Sequence, residues 1–197
     1  VMNIHPPNAH IKLIPQFIKV KDADFFLKHL QKNISWEQHF IKIFGRRIRS
    51  PRLSAWYGDI EANYSYSGQQ LKPIPWTPQL ANLRETINDQ FDLNLNSVLL
   101  NYYRTGLDNM GWHSDDETTL GKNPTIASLS LGSKRRFVMK HKYRKDLPKL
   151  EYNLGNGDLI VMSGPTQHFW KHQIPKTLKP TKPRINLTFR KILIQHN

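Results

Sequence analysis

The chain has 197 residues, with 29 Lys and Arg against 15 Asp and Glu, a formal net charge of +14 and a pI near 10.0. Hydrophobic residues make up 38% and no run of 18 apolar residues occurs, which fits one globular domain and excludes a membrane-spanning helix. Cysteine is absent, so disulfides, thiolate metal sites and cysteine nucleophiles are excluded, leaving His, Asp and Glu as the strong metal ligands.

The opening "VMNIHPPNAHIKL" lacks the charged-then-apolar layout of a secretion signal, which predicts an intracellular protein, cytoplasmic in a bacterium or nuclear in a eukaryote. "DADFFLKHLQKN" (Asp22 to Asn33) opens on a capping residue and spaces Phe26, Leu27 and Leu30 as one helix face. "KIFGRRIRSPR" (Lys42 to Arg52) then carries five positive charges around Phe44. A second helix is predicted from Pro78, with Leu80, Leu83, Ile87 and Phe91 as its apolar stripe. From Ser97 onward the texture is β-rich: "SVLLNYYR", "TIASLSLG", "RRFVMKH", "LEYNL", "DLIVMSG" and "RINLTFRKILI", separated by Gly- and Pro-containing turns. Short strands without intervening helices predict an antiparallel sandwich, jelly roll or barrel of about eight strands, covered by the two helices. A second basic run, "KRRFVMKHKYRK" (Lys134 to Lys145), holds seven positive charges interleaved with Phe137 and Tyr143. Basic residues alternating with aromatics suit a phosphate backbone and stacked bases better than a lipid surface.

Against this basic background "GWHSDDETTLG" (Gly111 to Gly121) is acidic. In an extended chain His113, Asp115 and Glu117 share one face, and Ser114 and Asp116 the other. A histidine and a carboxylate at that spacing need one further histidine to complete a two-His, one-carboxylate facial triad, the set that leaves open positions on Fe(II). "GPTQHFWKHQIP" offers His168 and His172. "PRINLTFR" puts Arg184, Asn186, Thr188 and Arg190 on one strand face and Ile185, Leu187 and Phe189 on the other. Two arginines in such a row are costly to bury unless an anion meets them, and arginine forks match carboxylates. A dicarboxylate beside an Fe(II) triad predicts 2-oxoglutarate. Asn101 and Tyr103 repeat the pattern on another strand.

Together "NYY", "GWHSDDE", "IASLSLG", "W-K-H" and "PRINLTFR" resemble the AlkB family of Fe(II)/2-oxoglutarate dioxygenases, which remove alkyl groups from nucleic-acid bases. The likeness runs from about Phe44 to Ile194 and leans towards the double-strand and single-strand repair homologues, through "PRLSAWYGD" and "YSYSG". It implies a β-rich α+β fold, a double-stranded β-helix (jelly roll) with supporting N-terminal helices and a nucleotide-recognition lid. It also implies one domain over residues 1–197, with extension, lid and support helix in 1–95 and the catalytic core in 96–197. The resemblance selects His172 over His168 as the third ligand, so His113, Asp115 and His172 hold Fe(II). Asn101, Tyr103, Arg184, Asn186, Thr188 and Arg190 form the 2-oxoglutarate pocket. Tyr64, Ser65 and Tyr66 border the damaged base, with Tyr66 stacking on it, and Asp116 and Glu117 lie at its edge, Asp116 orienting Arg190 or the substrate. Phe44, with Gly45 and Arg46 beside it, matches a finger that enters the duplex.

The implied reaction is oxidative demethylation of 1-methyladenine- or 3-methylcytosine-type lesions with Fe(II), 2-oxoglutarate and O2, releasing succinate, CO2 and formaldehyde. Its implied partners are single- or double-stranded DNA, with RNA open, acted on by a monomer without a membrane. Three competing readings are the same oxygenase chemistry on modified RNA or a protein, a non-enzymatic β-sandwich that binds nucleic acid, and a jelly-roll protein using another divalent metal.

Overall fold

Helix α1 (Val20–Asn33) turns Ala23 and Leu30 into the core, with Phe26 and Leu27 half-buried beside them. It starts two residues before the expected cap, Asp22, which instead lies in the first turn, where a carboxylate faces the positive end of the helix dipole. Helix α2 (Pro78–Phe91) starts as the sequence predicts, with Thr77 accepting from the Leu80 N–H at 3.3 Å and Leu80, Leu83 and Ile87 buried. A computed structural model describes residues 1–43, 45–62, 64–66 and 69–193, with the backbone alone at 41–43, 46, 64–66 and 69–71.

In chain order the strands are β1 (Met2–Ile4), β2 (His10–Ile14), β3 (Phe40–Ile43), β4 (Arg46–Arg49), β5 (Leu53–Gly58), β6 (Tyr64–Tyr66), β7 (Gln69–Leu71) and β8 (Ser97–Tyr103). There follow β9 (Met110–His113), β10 (Ile126–Gly132), β11 (Arg135–His141), β12 (Leu150–Leu154), β13 (Leu159–Ser163), β14 (Trp170–Ile174) and β15 (Arg184–Arg190), with a one-turn helix α3 (Thr166–Phe169) before β14. Seven strands make a large sheet in the order β1-β2-β13-β10-β15-β8-β5, and four make a small one, β12-β11-β14-β9. Every pairing in both sheets is antiparallel. The hairpins β3–β4 and β6–β7 stand apart as two-stranded ribbons. The described strands outnumber the eight expected because the N-terminal segment also pairs: β2 lies against β13, and the Trp170 indole N–H donates to the Pro7 carbonyl at 2.9 Å. Strands from both sides of residue 95 therefore share the large sheet.

The centre of the large sheet is buried on both faces, as the unbroken burial of β15 shows. One face carries Leu100, Leu129, Ile185, Leu187 and Phe189 into a core with the helix residues Leu30, Leu80, Leu83 and Ile87. The other meets the small sheet, where Ile160 and Met162 share a second core with Phe137, Met139 and Trp170. Period-2 alternation thus sorts β15 cleanly: its odd residues go to the helices and its even residues to the gap between sheets. Gly132 makes the crossing from β10 towards β11 possible, since it has φ 87° and a Cβ there would lie 2.5 Å from the Pro183 carbonyl oxygen. Among the described residues no helix is long and apolar enough to cross a membrane.

Candidate active site

The register of three neighbouring strands builds the wall of a cavity between the sheets. Arg184 pairs with Tyr103 on one side and Gly132 on the other, Asn186 with Asn101 and Ser130, and Thr188 with Leu99 and Ser128. Asn101, Tyr103, Arg184, Asn186, Thr188 and Arg190 all line this cavity, together with His113, Asp115 and His172 from the opposite side. His172 lies on β14 and pairs in register with His113 on β9, so two imidazoles 59 positions apart in the chain meet edge to face with centroids 4.2 Å apart. One ligand atom from each of His113, Asp115 and His172 lies within 4.8 Å of the other two.

The surroundings fix these groups in the forms a cation needs. His113 Nδ1 lies 2.9 Å from the Gly111 carbonyl oxygen, which can only accept, so Nδ1 carries the proton and Nε2 keeps its lone pair. Burial, followed by the charge of neighbouring His113, pushes the His172 pKa down to about 3, and burial likewise lowers that of His113. Burial alone raises the Asp115 carboxyl, but Arg190 and the two imidazoles reverse this and hold it below the usual carboxylate range. Two neutral imidazoles and a carboxylate at neutral pH are a deprotonated ligand set, as metal binding requires. His172 Nε2 faces Asp115 Oδ2 at 3.6 Å, and Phe137 stacks on the His172 ring at 5.2 Å. The Asp115 N–H donates to Gln167 Oε1 at 3.0 Å, and Arg190 Nη2 donates to Asp115 Oδ1.

Arg184 is a buried charge of the wall with no carboxylate paired to it among the described residues. It is 1% exposed, and burial draws its pKa down to about 10. Its Nη2 donates to Ser130 Oγ at 2.9 Å, while Nε and Nη1 are buried with no hydrogen-bond partner among the described residues. The Tyr103 ring lies 5.2 Å from its guanidinium carbon. A buried guanidinium with two idle donor atoms fits a carboxylate entering the cavity, and the triad fits Fe(II) with open positions. Asn186 differs from its expected role: its amide donates to Ser128 Oγ at 2.8 Å and the Leu129 carbonyl at 3.0 Å, and its oxygen accepts from Thr188 Oγ1 at 3.1 Å. It lines the cavity with its hydrogen bonds already made within the wall.

Several expected placements need correction. Strand β9 ends at His113, so the alternation that put Glu117 on the metal face does not extend to it. Glu117 is half-buried at the start of the 3-10 turn Thr118–Leu120. Arg190 pairs with Asp115, and Asp116 pairs with Lys142, whose Nζ lies 2.7 Å from its Oδ2. His168 accepts from the Asn123 N–H at 3.2 Å and takes no part in the triad. The second basic run is not one open surface. Arg135 is 4% exposed and donates to the carbonyls of Thr105, Gly106, Asp108 and Pro175, and Phe137 is buried against His172. Gly45 is exposed at φ 77° in the β3–β4 turn. Phe44 and the side chains of Arg46, Tyr64, Ser65 and Tyr66 lie outside the described residues.

Sequence reasoning missed Gln167, whose side chain holds the Asp115 backbone, and the role of Ser128 and Ser130. The serines were legible as the polar half of the alternation in "IASLSLG"; Gln167 carries no signal, since its partner is 52 residues away.

Residues 10–190 match the 2OG-Fe(II) oxygenase superfamily. The chain is 38% identical over 192 residues to the alpha-ketoglutarate-dependent dioxygenase alkB homolog 3 of Mus musculus, covering 93% of this chain and 66% of that protein. The chain thus spans just under two thirds of the length of that relative. It is 36% identical over 182 residues to the DNA oxidative demethylase ALKBH2 of Homo sapiens, covering 88% of this chain and 70% of that protein. The solved structure of OsALKBH1 has a TM-score of 0.66 at 20% identity, covering 95% of this chain and 100% of that chain, a likeness of fold alone.

Proposed function

The chain belongs to the 2OG-Fe(II) oxygenase superfamily, in its AlkB family, and on that footing we propose that it removes N-alkyl groups from nucleic-acid bases. The observation that carries the reading is one cavity holding both the His113–Asp115–His172 set and the buried Arg184 guanidinium. When bound, Fe(II) with 2-oxoglutarate and O2 supplies the oxidation that hydroxylates the N-methyl carbon, giving succinate and CO2, after which the hydroxymethyl group leaves the base as formaldehyde.

The chain's own residues bind, orient and exclude water. His113, Asp115 and His172 hold the metal, each in the protonation state it already has at neutral pH. Arg184 takes the far carboxylate of the co-substrate on its idle donors, beside the Tyr103 ring. Arg190 keeps Asp115 ionised and oriented. Phe137, Met162 and Ile174 close the remaining wall with apolar surface and keep water from the reacting carbon.

DNA is the proposed partner, single- or double-stranded, with RNA as an arm of the test, and the protein works inside the cell. The net charge of +14 supports a polyanionic partner. A base within a duplex must leave the stack to reach a cavity walled by two sheets.

The test supplies Fe(II), 2-oxoglutarate and air with oligonucleotides carrying 1-methyladenine or 3-methylcytosine, as DNA and as RNA, read by mass spectrometry. Methyl loss that requires 2-oxoglutarate and disappears in His172→Ala is the expected result. Succinate formation with every methyl retained would assign the oxygenase another substrate.

A further inference from the structure

Arg52 belongs by sequence to the basic run Lys42 to Arg52, a stretch suited to phosphates. Its side chain is half-buried and turned to the interior instead. Nε donates to Asn101 Oδ1 at 2.7 Å, and Nη1 donates to the Asn109 carbonyl at 3.3 Å. A guanidinium has only donors, so the Asn101 atom that faces it must be the oxygen. The Asn101 amide nitrogen is thereby turned away from Arg52, in a side chain that is 3% exposed and lines the cavity. Among the described residues that nitrogen has no hydrogen-bond partner. Asn186, its cross-strand neighbour, has both amide hydrogens committed to Ser128 and Leu129. Of the two wall asparagines, only Asn101 has donors to offer.

The geometry points to Arg52 as a positioning residue, which locks the Asn101 carboxamide so that its N–H donors face the oxygens of the co-substrate. An asparagine held by nothing can flip its amide and present an oxygen to an anion, which repels; the bond to Arg52 removes that state. Arg52 also follows closely on the β3–β4 hairpin. Segment 50–52 is fastened to the residue before β3 by the Ser50 N–H on the His39 carbonyl at 2.8 Å, and to the residue before β9 by the Asn109 N–H on the Pro51 carbonyl at 3.1 Å. This inference rests on the reading that the cavity takes 2-oxoglutarate.

The test is calorimetric binding of 2-oxoglutarate to the Mn(II)-loaded protein under argon, where no turnover occurs. It compares wild type, Arg52→Met, Asn101→Ala, the double variant and Arg52→Lys, with thermal melts of each. About tenfold weaker binding is expected for either single variant, no further loss in the double variant, and partial recovery in Arg52→Lys, which keeps a donor. If Arg52→Met melts earlier but binds as wild type, Arg52 is merely structural and the inference fails. Losses that multiply in the double variant also overturn it, because Arg52 then acts independently of Asn101. Should Arg52→Met not fold, the same cycle with Arg52→Gln decides. A wild type that binds no 2-oxoglutarate removes the functional reading itself, and this inference with it.

Discussion

Arg190 and Asp115 lie 75 positions apart and hold one another in an ion pair almost sealed from solvent, with side-chain exposures of 5% and 3%. The pair joins the last strand of the large sheet to the loop that carries a metal ligand. One carboxylate thus receives the guanidinium from the sheet on Oδ1, while its Oδ2 faces His172 Nε2 across 3.6 Å.

Removing one partner from a buried pair strands the other charge. Arg190→Met is therefore expected to destabilise the metal-free protein by about 3 kcal/mol or more, well beyond the loss from an exposed pair such as Arg144–Asp146. Urea denaturation in the presence of chelator measures the difference. Equal effects at the two sites would show that the Asp115 pair is not sealed in solution.

Arg184 predicts the opposite sign for stability. Its Nε and Nη1 are buried without hydrogen-bond partners among the described residues, so Arg184→Met should leave the metal-free protein as stable as wild type or more stable. The same change should weaken 2-oxoglutarate binding by about 100-fold, the loss of a charge-assisted bidentate contact. Thermal melts and calorimetry on one preparation separate the two effects, and a joint loss of fold and binding would contradict the assignment.

The pH dependence follows from His172, whose pKa falls to about 3 in the folded protein from its ordinary value of 6.5. Below pH 6.5 the unfolded chain takes up a proton that the folded chain refuses, so the metal-free protein loses stability as pH falls from about 6.5 towards 3. His113 and Asp115 are also lowered and act in the same direction, Asp115 only below its ordinary range near 3.8. Melts in chelator between pH 7.5 and 5 should show the decline, and His172→Gln should make it shallower, leaving the share due to His113. A flat profile in the wild type would mean that His172 takes up its proton as readily in the folded chain as in the unfolded one.

Charges in the second basic run should divide by their structural roles. Lys134 and Lys145 are exposed, whereas Arg135 is buried on four carbonyls and Arg136 pairs with Glu151 at 2.7 Å. Lys134→Gln and Lys145→Gln are each expected to weaken binding to a DNA duplex and to reduce the slope of log affinity against log salt by about one. Arg135→Gln should instead lower the melting temperature. Salt titrations by fluorescence anisotropy check the first claim and thermal melts the second.

Local pattern made much of this molecule legible. The 3.6-residue period gave α2 from its first residue, and the two-residue period sorted Arg184, Asn186, Thr188 and Arg190 from Ile185, Leu187 and Phe189. The antiparallel β architecture followed from short runs between turns, and the His113–Asp115 spacing marked the metal set. Alternation misled where a strand stopped: Asp116 and Glu117 were assigned faces beyond the end of β9. Among the N-terminal strands, β2 and β5 were not legible because each pairs with a distant segment, β13 or β8, that supplies its hydrogen bonds.

Composition and periodicity thus determined the element types, the absence of thiol chemistry, and which side chains could be ligands, because those properties depend on neighbours along the chain. Only the tertiary structure decided which partner each polar group found. It set His172 across from His113, Asp115 against Arg190, Asn101 under Arg52 and Arg135 among carbonyls. Those pairings arise from strand register and sheet stacking, which bring together residues dozens of positions apart, and a buried charge or amide takes its role from whatever then stands within 3 Å of it.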